Sequence, residues 1–286
     1  MDAPHEPPVP VPQRLGLRVA LASALGLVVA TGVLLLFAYD RHDAHASIAA
    51  LAPWLQAVRS LHHASTSLLV LLLLWRLVEV LRARESRWTW WATGAALFAA
   101  LAAFEMGIVL RGDQWGYEAL LHDRSVPGAA FLTVPLAFWA HLGAATAVVA
   151  ALLLAARPWA PDGCPTVRDR MRALRADARA WLAPLGLVLL AVGALALLVP
   201  ARLGPAPFAA LEVMRPAWPF LWLDPLEDRW GLVVLLEAPV LAALVLALYP
   251  FAAPPRRPEV PFVVLLTLVA LLGFVGAFTP VGGGGP

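Results

Sequence analysis

The sequence predicts an all-α membrane protein with about seven transmembrane helices, and three observations lead to this fold class. Hydrophobic residues make up 61% of the 286 residues, and only 14% are charged. The mean hydropathy is +0.76, whereas soluble domains carry about 25% charged residues. Roughly seven apolar stretches approach the ~20 residues that a membrane-spanning helix needs. Because backbone amides have no water to bond in lipid, we expect these stretches to be helices.

The predicted spans follow one another along the chain and are separated by charged or proline-containing turns. The first four form a four-helix domain over residues 16–156, and the last three form a domain over residues 181–280. The Arg-rich segment 157–180 links them, the Pro-rich segment 1–15 is expected to be disordered, and the Gly-rich tail 281–286 is expected to be flexible. The spans are placed near residues 16–38, 57–82, 88–110, 129–156, 181–201, 230–250 and 260–279.

The distribution of basic residues predicts the orientation of the chain in the membrane. All 21 basic residues are arginine, typical of a GC-rich bacterium, and they divide 14 to 7 between alternate sides of the predicted spans. The positive-inside rule therefore places the N-terminus in the cytoplasm, in a bacterial inner membrane. Arginines in short loops do not form the basic stripe of a nucleic-acid binder. Cys164 is the only cysteine, which excludes disulfides within the chain.

Three of the seven histidines, His62, His63 and His141, lie inside predicted spans. An ionisable side chain is costly in a membrane helix, so these positions are candidate functional residues. Two imidazoles from different helices can bind a haem iron from its two faces. His62 and His141 lie toward the same membrane side, as such a pair requires. The alternative is a neutral histidine that bonds only to a helix carbonyl or a nearby serine.

The histidines lie within a series of short motifs. In chain order these are Arg59-Ser60-Leu61-His62, Trp91-Ala92-Thr93-Gly94, Leu110-Arg111-Gly112-Asp113-Gln114, FWAHLGAATAVV with His141, PFAALEVMRPAWP and the Pro254–Pro258 loop. The series resembles cytochrome b of bc-type complexes, and the likeness continues to about residue 280. It is closest to the version that is split into a four-helix haem subunit and a three-helix partner.

The resemblance implies one haem b on the outer side of the membrane, with His62 and His141 as the iron ligands and His63 as the fallback for His62. The family holds a second haem with histidines about fourteen residues further on. Arg76 and either Ala155 or Ala156 occupy those positions here, so we expect no inner haem.

We expect Arg76 to extend toward the membrane surface near Glu79. The resemblance also places further residues beside the outer haem. The glycines among them could equally serve close helix packing. These residues are Arg59, Gly26, Gly32, Gly94 and Gly107.

The resemblance further implies a subunit of a respiratory quinol-oxidising complex. Ala217 replaces the glutamate of the family's Pro-Glu-Trp-Tyr motif and cannot accept a quinol proton. Glu212, Glu105 and Asp113 are the candidate substitutes. The implied partners are a Rieske-type iron–sulfur protein, a cytochrome c-type subunit, lipid-soluble quinol and a second copy of this chain. The alternative is a scaffold subunit, with or without haem, that oxidises no quinol.

Overall fold

The computed structural model describes residues 11–125, 130–155, 178–207, 217–230, 234–251 and 258–278. Within these ranges all the regular elements are helices, and six of them are long and apolar enough to cross a membrane. The prediction of an all-α membrane protein is therefore confirmed. The described residues form ten α-helices: α1 Val11–Leu36, α2 Ala44–Ala49, α3 Pro53–Arg82, α4 Arg87–Val109, α5 Gln114–Ser125, α6 Val134–Ala155, α7 Ala178–Leu198, α8 Asp224–Trp230, α9 Val234–Leu248 and α10 Glu259–Phe278.

The predicted span near 230–250 differs from the other six. Its helix α9 has 15 residues and is followed by the 3₁₀ turn Tyr249–Phe251, while residues 231–233 lie outside the described part of the chain. A straight 15-residue helix is about 22 Å long, which is shorter than the ~30 Å hydrocarbon core of a bilayer. The count of seven spans therefore stays a prediction.

The helix boundaries follow from local sequence signals. Pro53 begins α3, where its missing N–H costs nothing. Ser86 caps α4 and accepts a hydrogen bond of 3.2 Å from the amide of Thr89. Gly112 turns the chain between α4 and α5 with a φ of +61°. A Cβ there would lie 2.7 Å from the Cβ of Ala44, so only glycine fits where α2 approaches this turn.

The helices pack mainly with their sequence neighbours. Helix α1 lies along α3, α4 lies along α6, and α3 also contacts α4. Helix α7 covers α1 and α3, while α9 and α10 contact α4 and α3 respectively. We call the level of α1, α3, α4 and α6 that contains His62 and His141 the histidine end, and the level that contains Arg76 the arginine end.

The arginine end is filled by apolar side chains. Leu73 and Leu77 of α3 are completely buried, and Trp90 of α4 is 2% exposed. Val188 and Val192 of α7 join the same cluster. Lipid is as apolar as these side chains, so van der Waals packing rather than removal from water favours this arrangement.

The side chain of Arg76 does not lie where the sequence predicts. Its side chain does not extend to the membrane surface near Glu79 but is buried, with 4% exposure. The two Nη atoms bond to the two Oε atoms of Glu85 at 2.8 and 2.6 Å. The tight turn after α3 brings Glu85 back over Arg76, while Glu79 lies near Arg82 at 3.8 Å. A bidentate pair of this kind is among the stronger polar contacts in proteins.

Candidate haem-binding site

The structure brings His62 of α3 and His141 of α6 together. The centroids of their rings are 6.2 Å apart, and the ring planes are tilted by 58°. Two imidazoles that face one metal have ring centres about 6 Å apart, because each nitrogen–metal bond is about 2 Å and each nitrogen lies about 1 Å from its ring centre. The separation of the two rings is therefore compatible with one metal atom between them.

The hydrogen bonds of the two rings determine which nitrogen is available. Nδ1 of His141 lies 2.7 Å from the carbonyl oxygen of Ala103. Nδ1 of His62 lies 3.1 Å from the carbonyl oxygen of Val28 and 3.0 Å from Oγ1 of Thr31. A carbonyl oxygen can only accept, so Nδ1 carries the proton in each ring. Nε2 then presents its lone pair, the arrangement that orients histidine ligands in metal sites.

Two of the four predicted glycines contact this pair. A Cβ at Gly32 of α1 would lie 3.2 Å from Cε1 of His62, and a Cβ at Gly107 of α4 would lie 3.5 Å from Cε1 of His141. The absence of a side chain at these two positions therefore leaves room beside the imidazoles.

Gly26 and Gly94 are not brought to the histidines. Gly26 precedes Gly32 by six residues, about 240° around the helix, and Gly94 precedes Gly107 by thirteen, about 220°. A Cβ at either position would meet no atom within 4 Å. Gly94 instead lines a separate cavity of about 180 Å³ between α4 and α9.

Arg59 lies three residues before His62, and one nitrogen of its guanidinium has a hydrogen-bond partner while another has none among the described residues. Its Nη2 donates to the carbonyl oxygen of Ala201, and the adjacent Ser60 Oγ accepts from the amide of Ala201 at 3.1 Å. The buried Nε of Arg59 has no hydrogen-bond partner among the described residues. Buried donors are normally paired, so this nitrogen is suited to an anionic group of a ligand.

His63 faces a different part of the molecule. Adjacent residues on a helix point about 100° apart, and the ring of His63 packs against Phe104 at a centroid distance of 5.4 Å. Phe104 in turn contacts Trp218 and Phe220, each at 6.4 Å. The structure therefore brings His62, and not His63, to His141.

Asp113 is buried, with 0% exposure, and its oxygens are already engaged. Oδ2 accepts from Nη2 of Arg111 at 2.6 Å and from the amide of Gly204 at 2.8 Å. Oδ1 accepts from the amide of Gly116 at 3.0 Å. Asp113 thus holds the first turn of α5 and the segment 200–205 together. Its predicted role in proton transfer stays a prediction.

The other two candidate proton acceptors are placed as follows. Glu105 is half-buried on α4 and interacts electrostatically with Asp123 of α5. Glu212 lies outside the described residues. Ala217, which replaces the family's glutamate, is 7% exposed and packs in an apolar cluster that includes Phe104.

The sequence-based reasoning missed a cavity of about 470 Å³ beside this site, between the end of α1 and the first turns of α6. Its lining includes Tyr39, Arg41 and His42 from one segment and Phe138 and Trp139 from the other. The two clusters of aromatic and ionisable residues, FAYDRH and FW, were the available signal, but they are about 100 residues apart.

The fold is similar to that of a solved structure. A chain of a structure described as "Hyperthermophilic respiratory Complex III" aligns with a TM-score of 0.67 and 16% sequence identity. The alignment covers 96% of this chain and 85% of that chain. At this identity the likeness shows the fold, and it supports the resemblance to bc-type cytochrome b only at that level. No family model and no curated protein sequence matches the chain.

Proposed function

We propose that this chain is a membrane electron-transfer subunit of a respiratory quinol-oxidising complex and binds one haem b between His62 and His141. The observation that carries the proposal is the pair of neighbouring imidazoles, with ring centroids 6.2 Å apart, each with Nδ1 bonded to a carbonyl and Nε2 available. The fold shared with a chain of a respiratory Complex III structure supports the wider assignment.

The residues at the histidine end fit a haem by their chemistry. The described residues contain no group of three or more histidine, cysteine or acidic side chains that could hold a free metal ion, whereas a haem iron takes two axial imidazoles. Gly32 and Gly107 place no side chain against the two imidazoles. The unpaired Nε of Arg59 can donate to a haem carboxylate. When bound, the haem supplies one-electron chemistry.

Arg76 occupies the place of a histidine that the family uses for a second haem, and it is paired with Glu85. Ala155, one of the two candidate positions for the opposite ligand, is 4% exposed; Ala156 lies outside the described residues. These side chains offer no iron ligand, which favours a single haem.

The proposed setting follows the positive-inside rule. The chain lies in a bacterial inner membrane with its N-terminus in the cytoplasm, so that the histidine end is on the outer side. A Rieske-type iron–sulfur protein or a cytochrome c-type subunit is the proposed electron-transfer partner, and a homodimer is the proposed assembly. Of the candidate proton acceptors, Glu105 fits best among the described residues, because the oxygens of Asp113 already accept from Arg111 and two backbone amides.

The test is the haem content of the purified full-length chain and of three variants. We expect one haem b per wild-type chain by the pyridine haemochrome assay. His62→Ala and His141→Ala should each retain less than about a tenth of it, since each removes one axial ligand. His63→Ala is the matched control and should retain the wild-type content. A haem-free wild-type preparation, or an unchanged spectrum in His141→Ala, would refute the assignment.

A second candidate function is that of a scaffold subunit that oxidises no quinol, and the replacement of the family's glutamate by the buried Ala217 favours it. Reduction of the haem by added quinol distinguishes the two. A wild-type chain that binds haem but is not reduced by quinol, alone or with its copurifying partners, would support the scaffold function.

A further inference from the structure

The cavity at the histidine end adjoins the candidate haem site. We call it the α1–α6 cavity; its volume of about 470 Å³ lies within the ~300–1,000 Å³ typical of small-molecule sites. Leu36 and Leu142 form its apolar part. Leu142 directly follows His141, and Leu36 lies about one helical turn after Gly32. The cavity is therefore placed where two spans end and a molecule from the lipid phase can enter.

The walls of the α1–α6 cavity are aromatic. The rings of Tyr39 and Phe138 are nearly parallel, with an interplanar angle of 8° and centroids 5.8 Å apart. Trp139 stands edge-on to Phe138 at 5.2 Å. The hydroxyl of Tyr39 donates to the carbonyl oxygen of Leu110 at 2.9 Å, and burial together with the charge of Asp40 raises the pKa of Tyr39 above its ordinary value. A neutral, fixed set of rings favours a flat ligand.

The polar side of the cavity carries both signs of charge. The guanidinium of Arg41 lies over the ring of Trp139 at 5.5 Å, and its Nε donates to Nε2 of His42 at 3.4 Å. The backbone amide of His42 donates to Oδ1 of Asp40 at 2.9 Å. The Nη atoms of Arg41, Nδ1 of His42 and Oδ2 of Asp40 have no hydrogen-bond partner in the described part of the chain. Because the charges of Arg41 and Asp40 oppose each other, this side suits a neutral ring with hydroxyl or carbonyl groups better than an anion.

We propose that the α1–α6 cavity binds the ring of a hydroquinone or quinone. The ring lies against Phe138 and Trp139, and its oxygen atoms meet Asp40, Arg41 and His42. The inference rests on the proposed function, because it locates the substrate of a quinol-oxidising subunit.

The resemblance to cytochrome b would place the quinol elsewhere, at the segment 216–219, of which the structure describes residues 217–219. There the side chains contact one another. Phe104 packs edge-on against Trp218 and Phe220, each at 6.4 Å, and the indole N–H of Trp218 donates to Oγ of Ser67 at 3.1 Å. Position 217 there offers no side chain that can accept a quinol proton, whereas the α1–α6 cavity is lined by Asp40 and His42.

The experiment measures equilibrium binding of a short-chain ubiquinone analogue and a short-chain menaquinone analogue to the full-length chain in detergent micelles. We expect Trp139→Leu and His42→Ala to weaken binding of at least one analogue tenfold or more. Trp139 is 57% exposed and His42 is also exposed, so both variants should fold. Trp75→Leu is the matched control: Trp75 of α3 is 62% exposed, does not line the cavity, and should bind like wild type.

Four further outcomes separate this inference from the haem assignment and from other ligands. In the first, quinone binds to the His141→Ala chain, or to a wild-type chain that lacks haem, and Trp139→Leu or His42→Ala weakens this binding. That result supports the inference even where the haem proposal fails. Weakened binding in Trp218→Leu with normal binding in the two cavity variants overturns it, as does a wild-type chain that binds neither analogue. A copurifying phospholipid that Trp139→Leu loses and quinone does not displace also overturns it.

Discussion

The arginine end and the histidine end both carry polar side chains within the packed helices, but the hydrogen bonds of these side chains differ between the two ends. At the arginine end, Arg76 and Glu85 use both nitrogens and both oxygens on each other at 2.8 and 2.6 Å, within a cluster of leucines and valines. At the histidine end, each imidazole uses one nitrogen on a backbone carbonyl. Arg59 keeps an unpaired donor there.

This difference indicates where a ligand can act. Unpaired buried polar atoms are costly in a protein interior, and functional sites are where such a cost is found. The arginine end needs nothing beyond its own side chains. The histidine end has available lone pairs, an available donor and a cavity in one place. A group that binds to this protein is therefore expected at the histidine end.

The largest expected effect is a loss of stability when the Arg76–Glu85 ion pair of the arginine end is broken. Glu85→Ala should lower the free energy of unfolding by about 3–5 kcal/mol, because it leaves Arg76 charged, buried and unpaired. Chemical unfolding in mixed micelles, followed by circular dichroism, measures this loss. We expect haem content per folded chain to stay at the wild-type value, since Glu85 lies at the opposite end from His62 and His141.

Glu79→Ala is the control for this prediction. Glu79 lies 3.8 Å from Arg82, whose side chain is 54% exposed, and exposed pairs contribute about 0–1 kcal/mol. Equal effects of the two substitutions would show that the Arg76–Glu85 pair is no more important than a surface pair.

Much of the fold could be predicted from the sequence because a membrane imposes simple rules. The apolar stretches gave six of the spans to within a few residues, since lipid requires continuous helices of a minimum length. The short helix α9 could not be distinguished in this way, because apolar residues continue on both sides of it in the sequence. The pairing of His62 with His141 was accessible because both histidines lie at similar depth in their spans.

Other contacts depend on tertiary geometry that hydropathy does not encode. Glu85 was missed as the partner of Arg76 because the turn with Arg84 at a φ of +50° reverses the chain. The hydrogen bond from the amide of Gly204 to Asp113 was missed because the two residues are 91 positions apart in the sequence. Gly26 and Gly94 share the small size of Gly32 and Gly107, and only the rotation of each helix shows that they face elsewhere.

A second prediction compares the two buried ion pairs. Asp113→Asn should lower the free energy of unfolding by about 2–3 kcal/mol. The NH2 group of the asparagine cannot accept, so either the amide of Gly116 or the pair of Arg111 and Gly204 loses its acceptor, and charge-assisted bonds contribute about 1.5–3 kcal/mol each. Asp43→Asn is the control: Asp43 caps α2 through a 3.4 Å bond to the amide of Ala46, and asparagine caps equally well. An Asp113→Asn chain with wild-type stability and no haem reduction by quinol would instead favour proton transfer by Asp113.

The smallest effect should come from added methyl groups in α1, and it tests which face of this helix meets the ligand. Gly32→Val should weaken haem binding about tenfold, since overpacking costs about 1–3 kcal/mol and 1.4 kcal/mol is tenfold in affinity. Gly26→Val makes the same change in the same helix, but a Cβ there meets no atom within 4 Å. Haem titration into haem-free protein compares the two variants. Because both substitutions alter helix propensity equally, a difference between them measures contact at the histidine pair. Equal dissociation constants would mean that the haem does not lie against Gly32. Gly32 could then no longer be counted among the features that distinguish the histidine end as a ligand site.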